Sequence, residues 1–148
     1  MNLPTNFVKN VRQAFGQSGE RFLTDLPHLI SEASRRWDLV IGEPYPLSYH
    51  YVCAVRRRDG TPAVLKIGLP DRELTSEINT LGLYLGQGAC RLYDADPGAG
   101  MLLLECLAPG TMLANLEDDD QAIRIVAEVL CAIQHPAPEG DGFLTLRG

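Results

Sequence analysis

A lone lysine inside an aliphatic run is the residue here whose type and setting first suggest chemistry. In Pro62-Ala63-Val64-Leu65-Lys66-Ile67-Gly68, Lys66 interrupts a block that follows an Asp59-Gly60 turn and reads as a sheet strand. Strand side chains alternate, so Ala63, Leu65 and Ile67 share one face while Val64 and Lys66 share the other. Lys66 is then either a solvated charge on the open face of an antiparallel sheet or an ammonium aimed across that face at a ligand. Composition bears on the choice. Lys9 and Lys66 are the only lysines among 13 Lys and Arg residues, so a generic surface charge here would more readily be arginine. A lysine is a compact point charge suited to a phosphate or a single carboxylate. Two carboxylates, Glu73 and Glu77, follow on a predicted helix, both beside its apolar stripe. Either is able to hold Lys66 extended toward a phosphate, and either reads equally as a solvated helix residue. Spacing does not choose between them.

The elements that must position these groups can be followed along the chain. Asn6 to Phe15 carries Phe7, Val8, Val11 and Phe15 on one helical stripe, and Gly16-Gln17-Ser18-Gly19 breaks it. A second helix is predicted from about Glu20 to Trp37, with Phe22, Leu26, Leu29, Ile30 and Ala33 facing inward and Pro27 tolerated early or kinking it. Both helices are expected on the outside of the sheet. Strands are predicted over Asp38–Pro44, Tyr49–Arg57 and the Lys66 segment, the last two joined by an Arg58-Asp59-Gly60-Thr61 hairpin turn. Asp71 caps the following helix, whose stripe is Leu74, Ile78, Leu81 and Leu85. Gly86-Gln87-Gly88 ends it. Strands then follow over Cys90–Asp94 and Met101–Leu107, and acidic residues from Glu117 to Asp120 open a last helix that His135-Pro136 stops. The tail from Ala137 to Gly148 has no period of its own. Three antiparallel strands, a helix, two strands and a helix make an α+β layout with a helix packed on one sheet face.

Size and charge exclude several functions. A chain of 148 residues is one modest domain or one lobe of something larger. Its net charge of -6 and pI near 5.0 argue against nucleic acid or an anionic membrane as partner. The one basic run, Arg56-Arg57-Arg58, leads into the hairpin turn and reads as a solvated tip. Cys53, Cys90, Cys106 and Cys131 are far apart, with no Cys-x-x-Cys, and read as reduced core residues. The first ten residues hold no apolar signal core, and no run is long enough to span a membrane, so a soluble, cytoplasmic protein is expected.

Four segments together resemble the aminoglycoside phosphotransferases, in the streptomycin 6-kinase and hydroxyurea-resistance kinase-like branch. They are Ala63-Val64-Leu65-Lys66, Ser76-Glu77-Ile78, Leu92-Tyr93-Asp94-Ala95-Asp96-Pro97 and Met101-Leu102-Leu103-Leu104-Glu105. The resemblance covers about Trp37 to Thr145. It implies a protein-kinase-like N-lobe: a five-stranded antiparallel sheet with one packed helix, preceded by N-terminal helices and followed by a linker helix. The divisions would be a helical extension over 1–37, the nucleotide-binding lobe over 38–110, and a helix and linker over 111–148. The resemblance also implies ATP with Mg as cofactors and an aminoglycoside-like alcohol as acceptor in the full-length form. Lys66 would contact the α- and β-phosphates, with Glu77 rather than Glu73 as its partner, and Val64 would line the adenine pocket. Backbone groups at Glu105 and Leu107 would bond the adenine edge, and Ser48, in the loop from Pro46 to His50, would touch the phosphates.

Departures from the family pattern limit this expectation. The loop from Pro46 to His50 has no glycine, and Tyr49 and His50 are bulky for close backbone approach to phosphate. His50 reads as a strand residue rather than an acid or base, since no carboxylate stands near it in sequence. No His-Gly-Asp-type catalytic loop is present, and Asp141-Gly142-Phe143 has the metal motif's residues in the wrong order. The catalytic base, metal ligands and acceptor site would then lie beyond Gly148, in a longer kinase or in one truncated naturally, and this chain alone would be inactive. The competing reading is a small acidic α/β binding or chaperone-like module acting as a homodimer. In the kinase reading too, the apolar surface left without its second lobe would favour self-association.

Overall fold

The computed structural model of the chain describes residues 3–134 and residue 136. The elements are α1 (Thr5–Trp37), β1 (Leu39–Pro44), β2 (Tyr51–Arg57), β3 (Pro62–Ile67), α2 (Arg72–Tyr84), β4 (Leu92–Asp96), β5 (Met101–Glu105), a 3-10 turn at Leu113–Asn115, and α3 (Asp119–Ala132). The five strands form one antiparallel sheet in the order β1-β2-β3-β5-β4. This is an α+β fold of kinase-like N-lobe type, with the expected succession of elements. The expected stop at His135, the segment Asp141-Gly142-Phe143 and the tail beyond Pro136 lie outside the described residues.

Alternation in β3 divides the sheet into two differently covered faces. Leu65 pairs with Cys53 and Leu103, and Ala63 with Val55, so these residues lie on one face with Ile67 and Met101. All of them are buried, together with Phe7, Val11, Phe22, Leu26 and Ala33 of α1. Among the described residues, the N-terminal helices therefore supply five of the fourteen buried residues of the main core instead of lying outside it. On the opposite face, Val64 pairs with Ala54 and Leu104, and Lys66 with Val52 and Leu102. There Leu102, Leu104 and the partly buried Val64 and Leu92 pack against Leu74, Ile78 and Leu81 of α2.

The break expected over residues 16–19 is concentrated in one residue. Gly16 takes φ 53° and ψ -126°, and helical geometry resumes at Gln17. A positive φ at a single glycine redirects the chain without a longer linker. The two helical segments then lie close: a β-carbon on Gly19 would stand 2.6 Å from the Val11 carbonyl oxygen, and Arg12 Nε is 2.7 Å from Glu20 Oε1. Residues eight apart in a straight helix would be separated by roughly 12 Å along its axis. Pro27 lies well inside the second segment, where it forfeits one backbone bond. Packing of Phe22, Leu26 and Ala33 on the sheet keeps that segment helical.

Other boundaries differ by one to three residues, for local reasons. β2 begins at Tyr51, because residues 48–50 bend across the sheet end. β4 runs two residues later than expected and β5 stops at Glu105. Leu85, assigned to the α2 stripe, is instead the left-handed cap at φ 52°, and its side chain is exposed. α3 starts at Asp119 because Asp118 accepts the N–H groups of Asp120 and Gln121. Cys53 is buried, Cys90 is half-buried against the Leu74–Leu102–Leu104 cluster, Cys106 is half-buried, and Cys131 is exposed, which corrects the core reading for Cys131. The physical reason for Cys131 is that no layer among the described residues covers α3, which leaves Ile123, Val126 and Leu130 exposed too.

Polar contacts tie the far edge strand back to α1. Arg36 Nη1 donates to Asp96 Oδ2 at 2.7 Å, and Trp37 Nε1 donates to Asp94 Oδ2 at 2.8 Å. Arg57 of β2 lies 4.9 Å from the Tyr93 ring centroid, so it is engaged rather than freely solvated. These contacts link β4 to the end of α1 and, through Tyr93, to β2. They fall within the Leu92-Tyr93-Asp94-Ala95-Asp96-Pro97 segment that carried the family resemblance.

Candidate functional site

Lys66 is placed by β3, and its stem rises from the sheet between the side chains of its register partners Val52 and Leu102. Asp71 starts α2 by accepting the Leu74 N–H at 2.8 Å, which sets the helix phase so that Leu74 is buried and Glu77 looks across at β3. The result is a two-pronged contact: Lys66 Nζ donates to Glu77 Oε1 at 2.7 Å and to Oε2 at 2.6 Å. The side chains are 17% and 33% exposed, so the pair is shielded from the sheet side yet open at one end. Both carboxylate oxygens are engaged, while the ammonium has three donors and can direct a further one at an anion. The structure thus joins Lys66 to Glu77, and no ion pair or hydrogen bond to Lys66 is formed by Glu73.

Beyond Val64, on the same face, the sheet opens into a shallow groove. Val40, Gly42, Ala54, Arg56, Pro62 and Cys106 contribute to its lining, and it encloses about 230 Å³. Small residues create the space: a β-carbon at Gly42 would stand 2.8 Å from the Ala54 carbonyl oxygen. Tyr45 approaches Cys106 from the β1–β2 connection, and burial, aided by that thiol, raises its phenol pKa. Leu107 is exposed just past β5. The Glu105 carboxylate accepts the Arg91 N–H at 2.9 Å, and the Glu105 N–H donates to the Arg91 carbonyl at 2.8 Å.

The loop from Pro46 to His50 divides its contacts between the two sheet faces. Leu47 packs on the α1 core, and the Ser48 carbonyl accepts from Asn10 Nδ2 at 3.3 Å, leaving the Ser48 side chain exposed. His50 turns the other way. Its ring covers Gly68, where a β-carbon would collide with it. Burial lowers its pKa, the nearby Lys66 ammonium lowers it further, and Glu77, Glu73 and Asp71 oppose the shift. Nothing local to the loop signals this, because the carboxylates that act on His50 come from α2 and its cap, more than twenty residues away. Among the described residues, no cluster of three or more His, Cys, Asp or Glu side chains is arranged to hold a metal ion.

A five-stranded antiparallel sheet, a helix on one face and a lysine–glutamate pair between them are of the kinase-like class. The relatives narrow it. Residues 39–146 match the aminoglycoside/hydroxyurea antibiotic resistance kinases, and the chain belongs to that family. It is 37% identical over 142 residues to the streptomycin 6-kinase of Streptomyces glaucescens, an alignment covering 95% of this chain and 46% of that protein. Identity is 32% to the streptomycin 6-kinase of Streptomyces griseus, with the same coverage. A hydroxyurea phosphotransferase of Kitasatospora aureofaciens is 34% identical over 95% of this chain and 42% of its own length. The chain thus spans just under half the length of these relatives. No solved structure matches it.

Proposed function

We propose that this chain is the ATP-binding half of an aminoglycoside-type phosphotransferase, which in its full-length form transfers the γ-phosphate of ATP to an alcohol of a small antibiotic-like acceptor. The observation that carries the reading is the two-pronged Lys66–Glu77 contact beside an apolar groove on the same sheet face. In this reading Glu77 holds the ammonium in place before ligand arrives, so that little ordering cost remains when the α- and β-phosphates bind. Val64 and the small residues of the groove receive the adenine ring. The Glu105 carbonyl and Leu107 backbone bond its edge, and Ser48 belongs to the loop over the phosphates. Among the described residues no three His, Cys, Asp or Glu side chains are grouped to hold a metal ion, and no step is assigned to one here.

The same reading holds that these 148 residues do not complete phosphoryl transfer, because no His-Gly-Asp-type segment is among them. It also includes self-association through the exposed apolar residues of α3, for which light scattering is the check; a monodisperse monomer at high concentration removes that part. Calorimetric titration with ATP tests the central claim. Binding that weakens at least tenfold in Lys66→Ala supports it, and affinity indifferent to that change overturns it. ATP turnover by the purified chain would refute the claim of inactivity.

A further inference from the structure

We propose that His50 is a proton-linked phosphate contact: its imidazole, packed over Gly68 at the end of the Lys66 strand, takes up a proton when a nucleotide polyphosphate binds. The inference rests on the nucleotide reading above and adds a residue and a regulation to that site. The loop over this face lacks the glycines whose backbone N–H groups ordinarily cradle phosphate, so a side chain must supply the contact. Ser48 does not face Lys66 through its backbone, since its carbonyl is turned toward Asn10 of α1. His50 is the loop residue whose ring reaches β3, and it is held there by contact with Gly68, two residues beyond Lys66.

The charges around the ring explain why its protonation should follow the ligand. Lys66 faces it from β3, Glu77 and Glu73 from α2, and Asp71 from the α2 cap. Glu77 is already committed to Lys66 through both oxygens, so the carboxylates do not overcome burial and the ammonium, and the pKa stays below its ordinary value. A polyphosphate brought to Lys66 adds several negative charges on the open side of the pair. That reverses the balance, raises the imidazole pKa, and draws one proton from solvent onto the free ring nitrogen. No covalent bond changes. Nucleotide affinity must then rise as pH falls through the neutral range.

The test follows the His50 ring resonances by NMR across pH, with the wild-type chain free, with MgATP, and with adenosine. A titration midpoint that rises with MgATP and stays put with adenosine supports the proposal. In calorimetry, MgATP binding should tighten several-fold from about pH 8 to about pH 6, and His50→Gln should flatten that dependence. An unmoved midpoint in wild type, or an unchanged pH dependence in His50→Gln, overturns the proposal. If MgATP still binds and Lys66→Ala still weakens it, the nucleotide reading survives that failure. If MgATP does not bind at all, both fall.

Discussion

The two faces of the sheet are built from the same strands yet serve opposite ends. Beneath β3, Leu65 and Ile67 are fully buried against α1, in a core whose members are nearly all aliphatic or aromatic. Above it, one residue along in each direction, Lys66 and Val64 meet a shorter helix, a charged pair and an open groove. The α1 face has few polar atoms to satisfy and every reason to close. The α2 face keeps a charge partly desolvated but reachable, which costs stability and is tolerated because the other face supplies it. Closure of the lower face by the two segments of α1 is what allows the upper face to stay open.

Substitutions on the two faces should therefore separate stability from binding. Leu65→Ala should destabilise the chain by about 2–5 kcal/mol in urea unfolding, the cost of a cavity in a closed core. A loss below 1 kcal/mol would mean the α1 face is not the main core. Lys66→Ala, next to it in sequence, should weaken ATP binding at least tenfold, about 1.4 kcal/mol, while unfolding shifts by no more than roughly 1 kcal/mol. If Lys66→Ala unfolds the chain, the division between the faces is wrong.

Trp37→Phe tests the link between β4 and α1, since it keeps the ring and deletes the donor to Asp94; a loss of about 1 kcal/mol is expected, without change in ATP affinity. The smallest effect is alkaline. Burial pushes the Cys53 thiol up from 9.0 to about 11, and the Tyr51 phenol rises from 10.0 to about 12, also chiefly through burial. Each folded-state value is above the unfolded one, so the stabilising contribution is full below about pH 9 and is lost as pH rises toward 11 and 12. Thermal unfolding between those limits should show the decline, and Cys53→Ala should make it shallower. An unchanged slope in that variant would assign the decline to other groups.

Much of this arrangement was legible in the residues. The alternation of β3 placed Lys66 and Val64 on one face, the Asp59-Gly60 turn fixed the hairpin, and Asp71 announced the start of α2 at the residue where it caps. These are local signals, carried by periods of two and 3.6 residues and by side chains that bond their own backbone. Spacing left Glu73 and Glu77 as equal candidates, and the family resemblance favoured Glu77. Only the packed helix shows the contact itself, because the roll of α2 on Leu102 and Leu104 decides which carboxylate faces β3.

What the sequence alone determined about this protein is the identity and order of its elements and the face on which its one strand lysine lies. The tertiary structure decided the rest. It folded α1 back at Gly16 into the core, tied β4 to Trp37 and Arg36, and set the His50 ring over Gly68, two residues beyond Lys66. Those are contacts between segments distant in the chain, and no local period encodes them. They follow from how two helices and an antiparallel sheet share the same buried volume.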